Sequence, residues 1–185
     1  RRDTRIDHAD EAHLVVRRKA AGGKWEDEIR LFAQPGWTCY IGAAVYDEIT
    51  DEIMCHFWRS PVVMIEFKEY TPEELAEIER LRKERSAAAG VEGGSFIMYS
   101  RDDGKTWHYV SELYPCFWGR LFIYENSVYM ISCSTEYGDL LIGRSDDGGK
   151  TFTVPTVLLR GACKCNEAGV HKNPQPPMMY DGRMW

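Results

Sequence analysis

The sequence predicts an all-β fold built from repeated antiparallel sheets, interrupted by one helical insertion. The prediction depends on an eight-residue pattern that occurs twice and on the β-like runs that flank both copies. The copies are Ser-Arg-Asp-Asp-Gly-Lys-Thr-Trp at 100–107 and Ser-Asp-Asp-Gly-Gly-Lys-Thr-Phe at 145–152, and both fit Ser-x-Asp-x-Gly-x-Thr-aromatic. Their start points lie 45 residues apart, and a fixed period of that size is typical of stacked repeats or propeller blades.

The residue types of this pattern are those of a hairpin turn. The aspartate accepts hydrogen bonds from amides of its own turn, glycine permits positive φ, serine and threonine tie the ends, and the aromatic ring packs beneath. We therefore expect Asp102 and Asp147 in equivalent turns between the third and fourth strands of two sheets, far from any active site.

The repeated pattern resembles the Asp-box, or BNR repeat, of the sialidase (neuraminidase) family and related β-propeller proteins. The resemblance implies a sialidase-like β-propeller of four-stranded antiparallel blades. The Asp-box is structural in that family, so the resemblance predicts fold before function. Because the sequence begins with Arg1 and ends within a β-like run at Trp185, we expect a partial chain, either a piece of a larger propeller or a chain that needs a partner to close the ring.

On this interpretation, residues 1–33 form part of a blade, 34–113 form a blade with a helical insertion within 68–94, 114–162 form a third blade, and 163–185 begin a fourth. Trp25 takes the aromatic place after a turn at 20–24, where the pattern stands in degraded form. Runs rich in β-branched and aromatic residues predict the strands. They cover residues 13–18, 40–46, 52–58, 62–67, 95–99, 108–110, 120–124, 127–132, 139–143, 153–159 and 176–180.

The insertion has the signature of a helix from Thr71 to about Ala87. Thr-Pro-Glu-Glu at 71–74 is a capping box with proline at the first helical position, and Leu75, Ile78 and Leu81 form one apolar stripe. A solvated decoration, a lid over a site and an oligomer contact are all compatible with this sequence.

Composition narrows the class of protein. The net charge is −6 without a long basic run, so nucleic acid is not an expected partner. No apolar run approaches the roughly 20 residues of a membrane span, which predicts a soluble protein, either secreted, periplasmic or cytoplasmic. The six cysteines lack the spacing of a small disulfide scaffold, and Cys163-x-Cys165 has no second pair at zinc-finger spacing. We expect no metal and no cofactor.

Propellers bind ligands on loops that enter the first strand of each blade and loops that leave the second. Here those loops are residues 2–10, 59–61 and 134–138, and residues 37–41, 116–119 and 171–175. They provide Arg59 and His171 as candidate substrate contacts, with Trp37 and Trp118 as candidates for stacking on sugar faces. The alternatives are a salt bridge between blades, a plain surface histidine and aromatic packing.

Residues 1–18 look like the sialidase stretch in which an arginine ends one strand, a loop aspartate follows and a strand leads to Arg-Arg. The match implies Arg2 as a carboxylate-binding arginine and Asp7 as the general acid/base, and a register that can differ by a residue or more makes Arg1 and Asp10 their rivals. Arginine offers a planar fork to a sugar carboxylate, and an aspartic acid in a partly desolvated cleft can protonate a leaving glycosidic oxygen. The alternative is an acidic, solvated loop.

The sequence also departs from the family pattern. The Phe-Arg-Ile-Pro signature, the remaining arginines and the nucleophilic tyrosine are absent, and no glutamate stands at 175–180. Residues 1–185 alone are therefore expected to be inactive. The predicted function of the full protein is a glycoside hydrolase that removes terminal acidic sugars, with carbohydrate as substrate and a homo-oligomer or the remainder of the propeller as a possible partner. The alternatives are a non-catalytic propeller that binds glycan or protein, and a purely structural fragment.

Overall fold

The computed structural model describes residues 12–63, 70–90, 94–113, 116–134, 138–161 and 177–185. These residues form short β-strands and one α-helix. The elements are β1 (Leu14–Val16), β2 (Ile29–Phe32), β3 (Trp37–Asp47), β4 (Glu52–Pro61), α1 (Pro72–Ala89), β5 (Gly94–Ser100), β6 (His108–Leu113), β7 (Phe117–Tyr124), β8 (Ser127–Cys133), β9 (Leu140–Ser145), β10 (Thr156–Leu159), β11 (Met179–Tyr180) and β12 (Arg183–Met184).

Two four-stranded sheets dominate the fold, with strand orders β3-β4-β5-β6 and β7-β8-β9-β10. Strands β7 to β10 pair antiparallel with their sequence neighbours, and so do β5 and β6. Two smaller antiparallel pairs, β1-β2 and β11-β12, precede and follow them. The prediction of repeated four-stranded antiparallel sheets with one helical insertion is confirmed.

The first repeat turn, residues 100–107, connects β5 to β6. Ser100 Oγ accepts a hydrogen bond from the Gly104 amide at 2.8 Å, and it donates to Asp102 Oδ1 at 2.8 Å. The Asp102 carboxylate accepts from the Thr106 amide at 2.9 Å and from the Thr106 hydroxyl at 2.7 Å. Trp107 closes the turn by donating from Nε1 to the Gly104 carbonyl at 3.0 Å.

The second repeat turn, residues 145–152, connects β9 to β10 with the same hydrogen bonds of its serine and aspartate. Ser145 Oγ accepts from the Gly149 amide at 2.9 Å and donates to Asp147 Oδ1 at 2.7 Å. The Asp147 carboxylate accepts from the Thr151 amide at 2.9 Å and from its hydroxyl at 2.6 Å. The predicted equivalence of Asp102 and Asp147 in turns between third and fourth strands is confirmed.

The chain forms two compact units, one of Arg1–Tyr40 and Trp58–Gly94, the other of Ile41–Phe57 and Ser95–Trp185. The second unit holds a buried apolar cluster against which Phe152 packs. Its buried members are Met54, Ile97, Leu113, Cys116, Leu121, Val128 and Met130. Burial of these side chains is the main force that holds the second unit together.

In the first unit, residues of its own sequence cap both ends of α1. Thr71 caps it in the predicted capping box, and Gly90 ends it with φ of 65°. The helix extends to Ala89, two residues beyond the prediction, and none of its residues is buried. Of the predicted apolar stripe, Leu75 is 53% exposed, whereas Ile78 and Leu81 are half-buried.

The predicted strand at residues 62–67 is not the third strand of the sheet β3-β4-β5-β6. Residues 62–63 are not in a strand, and residues 64–69 lie outside the described part of the chain. The third strand is β5, beyond the helix, where the sequence predicted that the blade resumes. The turn at Asp181 and Gly182 joins β11 to β12, with φ of 50° and 66°, as a two-residue hairpin requires.

Candidate functional site

The candidate site is the edge of each four-stranded sheet at which its first strand begins and its second strand ends. These ends lie side by side because consecutive strands are antiparallel; Phe117 of β7, for example, pairs with Cys133 of β8. We call the described residues of segments 37–41, 59–61, 116–119 and 134–139 the rim. The first two segments are considered apart from the last two, because the first two lie largely in one unit and the last two in the other.

Arg59 occupies the rim position at the end of β4. Its guanidinium carbon lies 5.0 Å from the centre of the Phe32 ring, so β2 provides the surface on which the side chain rests. An aromatic face attracts a guanidinium and restricts its orientation. The arrangement holds a planar cation at the rim, the geometry that a carboxylate-binding arginine needs.

Trp37, at the start of β3, is 2% exposed. Its ring meets the Phe32 ring edge-on, with the two centres 5.9 Å apart. A buried indole has no face on which a sugar can stack, so the structure gives Trp37 a packing role. We leave Trp37 out of the binding residues proposed below.

Trp118 lies at an irregular point of β7. Its φ is 53°, and the pairing with β8 shifts register between Phe117 and Arg120. The next residue, Gly119, lies against His56: a Cβ at this position would be 2.6 Å from His56 Cε1. Only glycine fits so close an approach, and a tryptophan at positive φ stores strain of the kind found at functional sites. Trp118 is half-buried.

Asp139 is the carboxylate among the described rim residues. It accepts from the Gly161 amide at 2.9 Å and from Arg160 Nη1 at 2.6 Å. The bond from Gly161, and then the Arg160 guanidinium, hold the pKa of the Asp139 carboxyl below its usual range. Asp139 therefore stays ionised, and it ties the loop after β8 to the end of β10 rather than acting as a proton donor.

Arg120, on β7, was not singled out in the sequence. It is half-buried, and burial lowers the pKa of its guanidinium from the ordinary value. The signal that could have found it is a lone arginine in the apolar strand sequence Phe-Trp-Gly-Arg-Leu-Phe-Ile-Tyr.

The remaining predicted site residues, Arg2, Asp7, Asp10 and His171, lie outside the described residues. Within the described ranges, His, Cys, Asp and Glu side chains form no group that could hold a metal ion. The same part of the chain contains no helix with the length and apolar character that crossing a membrane requires.

No protein-family model and no curated protein matches the sequence. Solved structures do match, and they define the fold as sialidase-like, the β-propeller fold of that family. One is a Hadza microbial sialidase, with a TM-score of 0.50 and 14% identity over 76% of this chain. Another is a Trypanosoma rangeli sialidase, with a TM-score of 0.44 and 18% identity over 76% of this chain. The chain matches only 24% and 21% of the length of these two proteins.

Proposed function

We propose that the full protein containing these residues is a glycoside hydrolase of the sialidase-like superfamily that removes terminal acidic sugars from glycans. The observation that carries the proposal is Arg59, a planar cation held on Phe32 at the rim of a sheet in a sialidase-like fold. The Hadza microbial protein with a similar fold is a sialidase.

In this proposal Arg59 and Arg2 bind the sugar carboxylate. The repeat assigns them to the same place in successive blades, and arginine forks bind carboxylates through two parallel charge-assisted hydrogen bonds. Trp118 and His171, which the sequence analysis named as candidates, are proposed as further substrate contacts.

The proton for the leaving oxygen comes from Asp7, with Asp10 as the rival. Asp139 is excluded from this role because its pKa is lowered by the Gly161 amide and Arg160. A general acid must instead hold its proton until the glycosidic bond breaks, which favours a carboxyl in a partly desolvated cleft.

The test compares leaving groups, using the full natural protein that carries these residues. Asp7→Ala should reduce turnover of natural glycosides by about 10²- to 10⁴-fold and spare aryl glycosides whose leaving group needs no proton. Arg59→Ala should weaken binding of carboxylate sugars more than binding of their neutral analogues. Arg85→Ala, which removes an exposed arginine of α1, is the matched control. Equal losses on both substrate types would remove Asp7 from the acid role, and Asp10→Ala then tests the rival.

Glycan binding without turnover is the second candidate. It is favoured by Asp139, the described rim carboxylate, which is ionised and engaged in hydrogen bonds. Binding of a sialylated oligosaccharide that Arg59→Ala abolishes, with no product released after prolonged incubation, would support this function and contradict the hydrolase.

A further inference from the structure

The hairpin β1-β2 carries a solvent-facing surface that neither proposed function uses. Exposure alternates along β1 and the residues that follow it: Val15, Arg17 and Lys19 are exposed, whereas Leu14 is buried. An isolated bridge pairs Lys19 with Trp25, which brings the tryptophan beside these outward residues. We call Arg17, Lys19 and Trp25 the hairpin platform.

Trp25 is the centre of this platform and is 59% exposed. The guanidinium carbon of Arg17 lies 5.7 Å from its ring centre, and Lys19 Nζ lies 5.9 Å from it. Two cations therefore flank one accessible indole. This arrangement joins a flat apolar face to two charges within reach of a single small ligand.

Within the described residues no carboxylate pairs with the charges of the platform, and Arg17 Nε donates to the Glu26 carbonyl at 3.3 Å. Glu26 pairs with Arg18 at 3.5 Å and Glu28 pairs with Arg30 at 3.5 Å, whereas neither Arg17 nor Lys19 makes an ion pair with a carboxylate in the described residues. Five Lys or Arg and three Asp or Glu stand in residues 12–32, although the chain as a whole has a net charge of −6. The platform is thus a local basic surface on an acidic chain, complementary to an anion.

The exposure of Trp25 is unlike that of the aromatic residues at the same place after the two repeat turns. The Glu26 amide donates to the Arg18 carbonyl at 2.8 Å, just as the Thr153 amide donates to the Arg144 carbonyl at 2.8 Å, so Trp25 corresponds to Phe152. Phe152 packs on the buried cluster. Trp25 instead presents its ring to solvent, where it is free to bind.

We propose that the hairpin platform is a second binding site, for an acidic glycan. The indole stacks on the apolar face of a sugar ring, the Arg17 fork binds a carboxylate or sulfate, and Lys19 adds a point charge. Trp25 and Phe32 stand at opposite ends of the second half of the hairpin, seven residues apart. A fully extended chain of seven residues spans at most about 23 Å. Trp25 lies at the turn of the hairpin, whereas Phe32, which supports Arg59, lies at the end of β2, so the platform and Arg59 are at different ends of the hairpin.

The experiment measures binding of 3′-sialyllactose and of lactose to the full protein by calorimetry, in an Arg59→Ala background that weakens the rim site. Trp25→Ala and the double variant Arg17→Ala, Lys19→Ala should each weaken binding of sialyllactose by about threefold to tenfold, as expected for exposed stacking and charge contacts. Trp25→Phe should retain much of the affinity. The double variant Lys83→Ala, Arg85→Ala removes two exposed cations of α1 and should change nothing.

The outcomes separate the proposal from its rivals. Unchanged affinity in Trp25→Ala would overturn it. A second result would also overturn it: the double platform variant loses affinity for sialyllactose, Trp25→Ala does not, and a polyglutamate peptide binds as tightly as sialyllactose. That result would show a surface that attracts any anion. A far-ultraviolet spectrum and melting temperature within the range of the control variant show that a loss is not unfolding.

Discussion

The turn at residues 19–25 and the second repeat turn at 145–152 both close hairpins, but their aromatic residues differ in burial. Phe152 packs on the apolar cluster, whereas Trp25 is exposed. Both turns contain Gly-Gly-Lys, at 22–24 and at 148–150, and Gly22 and Gly148 have φ of 71° and 73°. The shorter turn lacks the threonine before its aromatic residue, and alanines stand where the repeat has Asp146 and Asp147.

The comparison shows how the aspartate carboxylate and the serine and threonine hydroxyls stabilise a repeat turn. Ser145, Asp147 and Thr151 fix the turn through side-chain hydrogen bonds, and the aromatic residue that follows packs on the core. The shorter turn keeps a backbone bond from the Gly23 amide to the Ala20 carbonyl at 2.9 Å, and its tryptophan faces solvent. One place in the repeat can therefore hold either a packed or an exposed aromatic ring.

The largest expected difference between the two turns is in their aromatic residues. Phe152→Ala should lower the free energy of unfolding by about 2–3 kcal/mol, because a partly buried ring leaves the apolar cluster. Trp25→Ala should lower it by only about 0.5 kcal/mol or less, as is usual for an exposed residue. Urea unfolding followed by circular dichroism measures both, and equal losses would contradict the comparison.

A smaller difference is expected at the first residue of each turn. Ser145 is 1% exposed, and Ser145→Ala would leave the buried Gly149 amide without its acceptor, at a cost of about 1–3 kcal/mol. Lys19→Ala, the matched change in the shorter turn, should stay within about 0.5 kcal/mol. Ser100→Ala repeats the test in the first repeat turn, and a cost like that of Lys19→Ala there would show that the hydroxyl is dispensable.

The smallest expected effect concerns how the free energy of unfolding depends on pH. The two repeat turns each contain an aspartate that can affect it, whereas the turn at 19–25 contains no carboxylate. Hydrogen bonds from the Thr151 hydroxyl and amide lower the pKa of Asp147 to about 2, against about 3.9 in an unfolded chain. The folded state therefore favours the ionised form, and this contribution is present above about pH 4 and is lost as pH falls toward 2. The pKa of Asp102 is lowered too, first by the Thr106 amide.

The measurement is urea unfolding at several pH values between about 5 and 2, because the transition should lie between the two pKa values. Asp147→Asn should flatten the decline in that window relative to the unmodified protein. Ala21→Asn, in the shorter turn, changes no charge and should leave the decline as it is. Identical curves for all three proteins would exclude an ionic contribution from the repeat turn.

The sequence was sufficient for those parts of the fold that depend on local chemistry. The two repeat turns and the capping box at Thr71 are each specified by neighbouring residues, and each is found as predicted. Side-chain burial was not predictable in the same way. Trp37 was expected at an open rim and is enclosed, because its burial depends on Phe32 from another strand.

The candidate site was predictable only in outline. Arg59 was predicted in a loop that leaves the second strand and lies instead within β4, which extends to Pro61. Its support by Phe32 is a contact between strands that spacing does not reveal. Arg120 was missed, although a lone arginine in the otherwise apolar strand sequence of β7 is a signal that could have found it. The roles of Arg2, Asp7, Asp10 and His171 remain proposals.

The second repeat turn also bears on how this part of the chain unfolds. Ser111 of β6 donates from Oγ to the Gly149 carbonyl at 2.7 Å, across 38 residues of sequence. A Cβ on Gly149 would lie 3.7 Å from Ile97 Cδ1 and from Met54 Sδ, so the turn covers the cluster beneath it. Opening the turn would expose those side chains to water, and local opening there becomes costly. The amides of β5, β6 and β9 are therefore expected to exchange with solvent as one cooperative unit, although they belong to two sheets.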